Sequence, residues 1–303
     1  MRHDIEFDAE GTTLRGWLYV PDEATGPVPA IVMCHGFSAV KEQFLDAYAE
    51  VFCEAGFAAL VYDNRCLGAS DGEPRQEIDP WAQVNDYRHA ITYARTREEI
   101  DGERIGIWGS SYSGGHVLVV GAIDRRVKCV ACQVPLISGH ENARRLVRAD
   151  LIAPTQEMFA ADREARYRGE PPARIPVVAP EGEPSALPTP DSYEWFTTSG
   201  AERAPSWVNE CTLRSIEMFW AYEPGTYLPW ISPTPLLMVV AAGDHLTVSD
   251  IAIGAFERAR EPKKLEILSG GHFDAYVAGF ERSSGVARDW FVTHLLARQP
   301  ALA

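Results

Sequence analysis

Apolar positions gather into short runs over both ends of the chain: Ala30–Cys34, Ala58–Tyr62, Ile105–Trp108, Val127–Val134 and Leu236–Ala241. Runs of this kind, bounded by turn residues, predict strands buried on both faces. Between them the apolar positions recur at helical spacing, over Leu45–Ala55, Trp81–Arg97, Gly115–Ile123, Val248–Arg260 and Phe280–Leu296. Gly56 follows the first of these helices as a C-terminal stop, and Asp79-Pro80 precedes the second as a start. Lys264–Leu268 predicts one more strand. His3–Phe7 and Leu14–Val20 predict an N-terminal hairpin across Asp8–Thr13. Strands alternating with helices imply an α/β fold: a mostly parallel, doubly wound sheet with helices on both faces.

The alternation fails between about residues 138 and 230. Gly169–Pro190 alone holds seven of the 21 prolines, which excludes a regular helix or a central strand there. The rest is rich in aromatics: Trp195, Phe196, Trp207, Phe219, Trp220, Tyr222, Tyr227 and Trp230. Flexible linkers lack such side chains. Residues 138–230 are therefore expected to be a folded cap inserted in a core made of residues 1–137 and 231–303. Trp195, Trp207, Trp220 and Trp230 are its candidate substrate-binding residues.

A formal net charge of −15 argues against nucleic acid and anionic membranes as partners. No apolar run reaches the ~18 residues of a spanning helix. The N-terminus has no basic-then-apolar leader pattern. The six cysteines sit mostly in apolar contexts, so a reduced, cytoplasmic setting is expected rather than a disulfide framework. Cys129 and Cys132 have redox or metal spacing, but they lie inside a strand-like run with no second cluster. No metal-ligand spacing or phosphate-binding glycine loop is found, and no metal or cofactor is expected. The expected partner is a small-molecule substrate. The cap aromatics could also form a homodimer contact.

The chemistry is concentrated in Gly109-Ser110-Ser111-Tyr112-Ser113-Gly114-Gly115, at the end of one apolar run and the start of a helix. A serine at the centre of such a strand–turn–helix is a nucleophile elbow, and the flanking glycines set the register on Ser111. A serine hydroxyl is a weak nucleophile and needs a base. His272 follows the last strand in Ser269-Gly270-Gly271-His272, where the glycines permit a turn that delivers an imidazole. Asp244 follows the strand Leu236–Ala241, at the sheet edge where such sites gather. Asp250 is a rival acid inside the next helix; His35 and His245 are rival bases. The order Ser, Asp, His is the one this elbow requires. The amides of Tyr112 and Phe37 are the candidate oxyanion donors. The segment Asp63–Gly72 is expected to pin loops beside the site. Arg144, Arg145 and Arg148 are expected to be a solvated helix face.

These residues carry a resemblance. His35-Gly36-Phe37, Asp63-x-Arg65-x-x-Gly68-x-Ser70-x-Gly72, Gly109-x-Ser111-Tyr112-x-Gly114-Gly115, Gly243-Asp244 and Gly271-His272 together resemble α/β-hydrolases of the dienelactone-hydrolase and Xaa-Pro-dipeptidyl-peptidase-like group, close to the polyketide-transferase-like proteins. The elbow departs from the commonest form in having Ser113, and Cys66 stands where a glycine is usual. The resemblance implies an α/β-hydrolase fold with an inserted cap. It also implies a serine hydrolase of esters or thioesters acting through an acyl-enzyme. The same group contains acyltransferases, carbon–carbon hydrolases and aminopeptidases. An aminopeptidase would need acids such as Glu141, Asp162 or Glu164 to hold the substrate amine.

Overall fold

A computed structural model describes residues 1–296 of the chain. The core opens with the antiparallel hairpin β1 (Arg2–Ala9) and β2 (Thr12–Tyr19), in the register Arg2↔Tyr19 to Ala9↔Thr12. Its two-residue turn puts Glu10 and Gly11 at φ +55° and +87°, the primed geometry that follows strand twist. Then come β3 (Val28–Cys34), α1 (Leu45–Glu54), β4 (Ala58–Tyr62), α2 (Pro80–Arg95), β5 (Ile100–Ser110), α3 (Tyr112–Ile123) and β6 (Val127–Gln133). Gly56, at φ +97°, ends α1 as anticipated. The Asp79 carboxylate caps α2 by accepting the Trp81 and Ala82 amides, with Pro80 in the first turn.

Residues 138–230 fold as helices. α4 (Gly139–Leu146) and α5 (Ala149–Tyr167) come first, then β7 (Arg174–Ile175), α6 (Pro190–Glu202), β8 (Cys211–Thr212), α7 (Leu213–Ala221) and α8 (Leu228–Ile231). β7 and β8 form a two-residue ribbon. The proline-rich stretch around β7 is otherwise irregular. The last part of the segment belongs with the core layer: the 3-10 turn Pro224–Tyr227 and α8 both pack on α3. The alternation resumes with β9 (Leu236–Ala241), α9 (Ser249–Phe256), β10 (Lys263–Leu268) and α10 (Phe280–Phe291).

Eight strands form one sheet in the order β1-β2-β4-β3-β5-β6-β9-β10. β2 runs antiparallel to both neighbours, and every pair from β4 to β10 is parallel. β3, β4 and β9 are apolar along their length and almost wholly buried, because helices cover both faces. The carboxyl ends of β3, β5, β6, β9 and β10 lie along one edge, where the turns carrying Phe37, Ser111, Asp244 and His272 leave the sheet. Among the described residues no helix is long and apolar enough to cross a membrane. All six cysteines are free thiols. Burial raises the Cys129 and Cys132 thiols far above their ordinary range, which fits inert strand positions.

Candidate active site

β5 runs into α3 through Ser111, whose backbone sits at φ +58° and ψ −116°. A non-glycine residue at positive φ costs on the order of 1–3 kcal/mol, so its surroundings must hold it there. The Ser111 amide donates to the Gln133 carbonyl at 2.8 Å, and its carbonyl accepts the Leu136 amide at 2.9 Å. The glycines are steric requirements. A Cβ on Gly109 would lie 2.2 Å from the Ser113 carbonyl oxygen, one on Gly114 2.8 Å from Pro135 Cα, and one on Gly36 2.8 Å from Ser111 Cβ. Of the three serines, Ser110 is buried and bonded to the Tyr276 hydroxyl, and Ser113 is buried. Ser111 alone retains exposure.

The acid and base are tightly built. His272 Nδ1 lies 2.7 Å from Asp244 Oδ2, and both side chains are about 1 % exposed. Asp244 Oδ1 accepts the Leu246 and Thr247 amides, each at 2.8 Å. The Thr247 hydroxyl lies 2.9 Å from Asp244 Oδ2 and 3.1 Å from His272 Nδ1. From α4, the buried Asn142 side chain donates to the Leu246 carbonyl at 2.7 Å and accepts the Val248 amide at 3.1 Å. Asp250, the rival acid, faces outward and pairs with Arg145. His245 is exposed.

On the other side of Ser111, the turn after β3 is braced from below. Asn64 donates its amide to His35 Nε2 at 3.1 Å, so the other imidazole nitrogen carries the proton and donates to the Gly36 carbonyl at 3.0 Å. Burial lowers the His35 pKa and keeps the ring neutral. Asp63 accepts the Lys41 amide (2.8 Å), the Lys41 ammonium (2.6 Å) and the Ala69 amide (3.0 Å). A Cβ on Gly68 would strike that carboxylate at 2.4 Å. The Asp63–Gly72 stretch is thus a structural brace. Removing one partner of such a buried pair costs about 3–5 kcal/mol. The Phe37 and Tyr112 amides are bonded to no other group among the described residues.

Gly36, Phe37, Ser111 and His272 open on one cavity of about 20 Å³, room for roughly one water. Its walls are Leu246, Phe273 and Tyr276 from the core, and Leu187, Trp195 and Phe196 from residues 138–230. Trp195 stacks on Phe273 (ring centroids 4.8 Å apart) and on Phe44 (5.9 Å). Helix α6 is also tied to the turn after β3. The Gln43 carboxamide accepts the Val40 amide at 3.1 Å and donates to the Ser199 hydroxyl at 2.8 Å, and Arg203 pairs with Asp46.

Phe37, Ser111 and His272 share one cavity, Asp244 is bonded to His272, and Tyr112 follows Ser111 at the start of α3. The four tryptophans do not all share that cavity. Only Trp195 lines the cavity. Trp207 packs behind it on Phe196, Trp220 packs on Phe159, and Trp230 is 57 % exposed beside Tyr227. Aromatic content marked a folded segment without saying which face met Ser111. Leu187 and Leu246 carry no sequence signal of their own, and Phe196 counts only as one of the aromatics of the segment. Phe273 and Tyr276 could have been found, since they ride on the turn that carries His272. Arg145 and Arg148 are half or more exposed and paired with Asp250 and Asp150, as a solvated face would be. Among the described residues no group of His, Cys, Asp or Glu could hold a metal ion.

An eight-stranded, mostly parallel sheet with a nucleophile elbow after β5, an acid after β9 and a histidine after β10 defines an α/β-hydrolase. More narrowly, the model of the X-Pro dipeptidyl-peptidase (S15) family matches residues 10–274, and the chain belongs to that family. It is 34 % identical over 279 residues to a thiohydrolase of Eupenicillium brefeldianum, covering 90 % of this chain and 88 % of that protein. It is 32 % identical over 297 residues to polyketide transferase grgF of Penicillium sp, covering 97 % of each. The crystal structure of the α/β hydrolase GrgF from Penicillium sp. sh18 matches with a TM-score of 0.84 at 30 % identity, over 98 % of this chain and 99 % of that one. The chain is an enzyme of the hydrolase class.

Proposed function

We propose that this protein is a serine hydrolase that cleaves a thioester or carboxylic ester through an acyl-enzyme on Ser111. His272 Nε2 takes the Ser111 proton as Oγ attacks the carbonyl carbon, and Asp244 holds the imidazole with its proton on Nδ1. The Phe37 and Tyr112 amides, with the N-terminus of α3 behind them, receive the oxyanion. His272 then returns the proton to the departing thiol or alcohol. Water, deprotonated by the same imidazole, releases the acid and regenerates Ser111. The observation that carries the reading is Ser111 at positive φ, in the same aromatic cavity as a histidine 2.7 Å from a buried carboxylate.

The walls favour a compact apolar or aromatic group next to the scissile bond. Among the described residues they carry no carboxylate, which speaks against capture of a substrate amine. Asp162 is occupied by Arg166 (2.8 Å) and the Ala173 amide (2.8 Å), and Glu141 and Glu164 are not in the walls. Acyl transfer or cleavage of a carbon–carbon bond would use the same groups with a different acceptor or leaving group. The six free thiols suit a reducing compartment such as the cytoplasm.

A screen of nitrophenyl esters and aryl or alkyl thioesters, with water and an alcohol competing, tests the reading. Ser111→Ala is expected to lower turnover by at least roughly a thousandfold and to abolish fluorophosphonate labelling. Turnover near the wild-type rate in that variant would refute it. Ester product exceeding free acid would move the assignment to acyl transfer.

A further inference from the structure

We infer that Thr247 is a positioning residue for the acid–base pair, acting through its hydroxyl on both Asp244 and His272. The inference rests on the reading of Ser111, His272 and Asp244 given above. Thr247 Oγ1 has three polar neighbours: Asp244 Oδ2 at 2.9 Å, Val134 O at 2.9 Å and His272 Nδ1 at 3.1 Å. A hydroxyl has one proton to give and two lone pairs with which to accept. Two of its neighbours, the ionised carboxylate and the peptide carbonyl, can only accept.

One proton cannot serve both acceptors. The charge-assisted bond to Asp244 is the stronger, so Asp244 takes it, and the Val134 carbonyl lies 2.9 Å from the Thr247 oxygen with no proton between them. The Thr247 lone pairs then face His272 Nδ1. With Thr247 as a second acceptor beside Asp244, the imidazole is held in the tautomer with its proton on Nδ1, which leaves Nε2 free to act as base. Asp244 is saturated in this arrangement. Oδ1 takes two amides, and Oδ2 takes the Thr247 hydroxyl and the His272 N–H. These four donors fill its roughly four lone-pair positions, so the carboxylate has no reason to rotate away.

The backbone on both sides of the contact is held in place. Val134, just after β6, sits at φ +38°, a position unusual for a β-branched residue. Its amide is held by the Val239 carbonyl at 2.7 Å. Its own carbonyl reaches Thr247. Asn142 fixes the amide and carbonyl on either side of Thr247, so the residue has little freedom to adjust. Thr247 is itself only 6 % exposed.

The test compares Thr247→Val and Thr247→Ser. Valine keeps the shape and loses the hydroxyl; serine keeps the hydroxyl and loses the methyl group. Thr247→Val should lower kcat about ten- to a hundredfold, the range for losing one hydrogen bond to a charged group, with KM within about twofold. Thr247→Ser should recover most of that loss. In an Asp244→Asn background the valine change should cost less than about twofold, because the group it braces is gone. Thermal melts confirm that each variant is folded. A valine variant with wild-type kcat, a serine variant as slow as valine, or full additivity with Asp244→Asn would each overturn the proposal. None of those results would touch the Ser111 assignment, which falls only if Ser111→Ala stays active.

Discussion

The two walls around Ser111 are specified by different physics. The wall carrying Asp244 and His272 is made of short directional contacts, and every polar atom of the carboxylate is paired. The wall carrying Trp195 and Phe196 is made of ring stacking, and the buried indole nitrogens of Trp195 and Trp207 have no hydrogen-bond partner among the described residues. Hydrogen bonds fix atoms to within a few tenths of an ångström and suit a proton relay. Stacked rings set a shape and leave room to re-pack. On the proposed reading, the chemistry is built rigidly and the choice of substrate is built from replaceable bulk.

Three substitutions, with a fourth as control, would break or sharpen that contrast. The largest effect is expected at the polar wall. Asp244→Asn preserves size but offers an amide where His272 needs an acceptor, and kcat should fall by about a thousandfold or more with the fold intact. A loss below tenfold would mean that the acid is not where the chemistry lies. At the apolar wall, Trp195→Ala should change selectivity instead. The enlarged cavity should shift preference toward longer or bulkier acyl groups by about tenfold in kcat/KM ratios across an ester series. Stability should fall by about 3–5 kcal/mol. Trp230→Ala, outside the cavity, is the control and should leave the series unchanged. An identical selectivity profile in the Trp195 variant would remove the wall from the argument.

The smallest effect tests burial without chemistry. His116, on α3, is fully buried and bonded to Tyr222 and Gln83, and burial lowers its pKa to about 3 from 6.5. Its proton affinity is lower folded than unfolded. Below about pH 6.5 the unfolded chain takes up a proton that the folded one refuses, so stability falls as pH drops toward 3. His116→Gln should flatten the decline of Tm between pH 6.5 and 4.5 by up to one proton's worth of slope. An unchanged slope would show that His116 does not govern acid sensitivity.

The same contrast explains what could be read from the sequence. The sheet was legible because β3, β4 and β9 are unbroken apolar runs whose order forces parallel pairing. The elbow was legible because Gly109 and Gly114 are compelled by contacts within a few residues. Asp244 and His272 each follow a strand end, so chain order located them. Helix α5 was not legible. Its apolar residues Leu151 and Met158 stay about half exposed, so they mark no buried face, and Pro154 sits inside the helix. Nor could the sequence separate Trp195 from Trp207, Trp220 and Trp230, because that choice is made by α6 docking on a turn some 150 residues away in the chain. Thr247 carries no sequence signal, because its contacts exist only where the end of β6, the Asp244 turn and the His272 turn converge.

The link between Gln43 and Ser199 bears on how such enzymes can be recombined. Helix α6 looks like a detachable part, yet its Ser199 hydroxyl is bonded to the same carboxamide that shapes the turn carrying Phe37. Transplanting residues 138–230 from a relative would put another protein's residues against Gln43, Phe44 and Asp46, in place of Ser199, Trp195 and Arg203. A chimera that exchanges this segment together with residues 40–46 takes both sides of the seam from one parent; one that exchanges the segment alone changes the partners of the turn that carries Phe37.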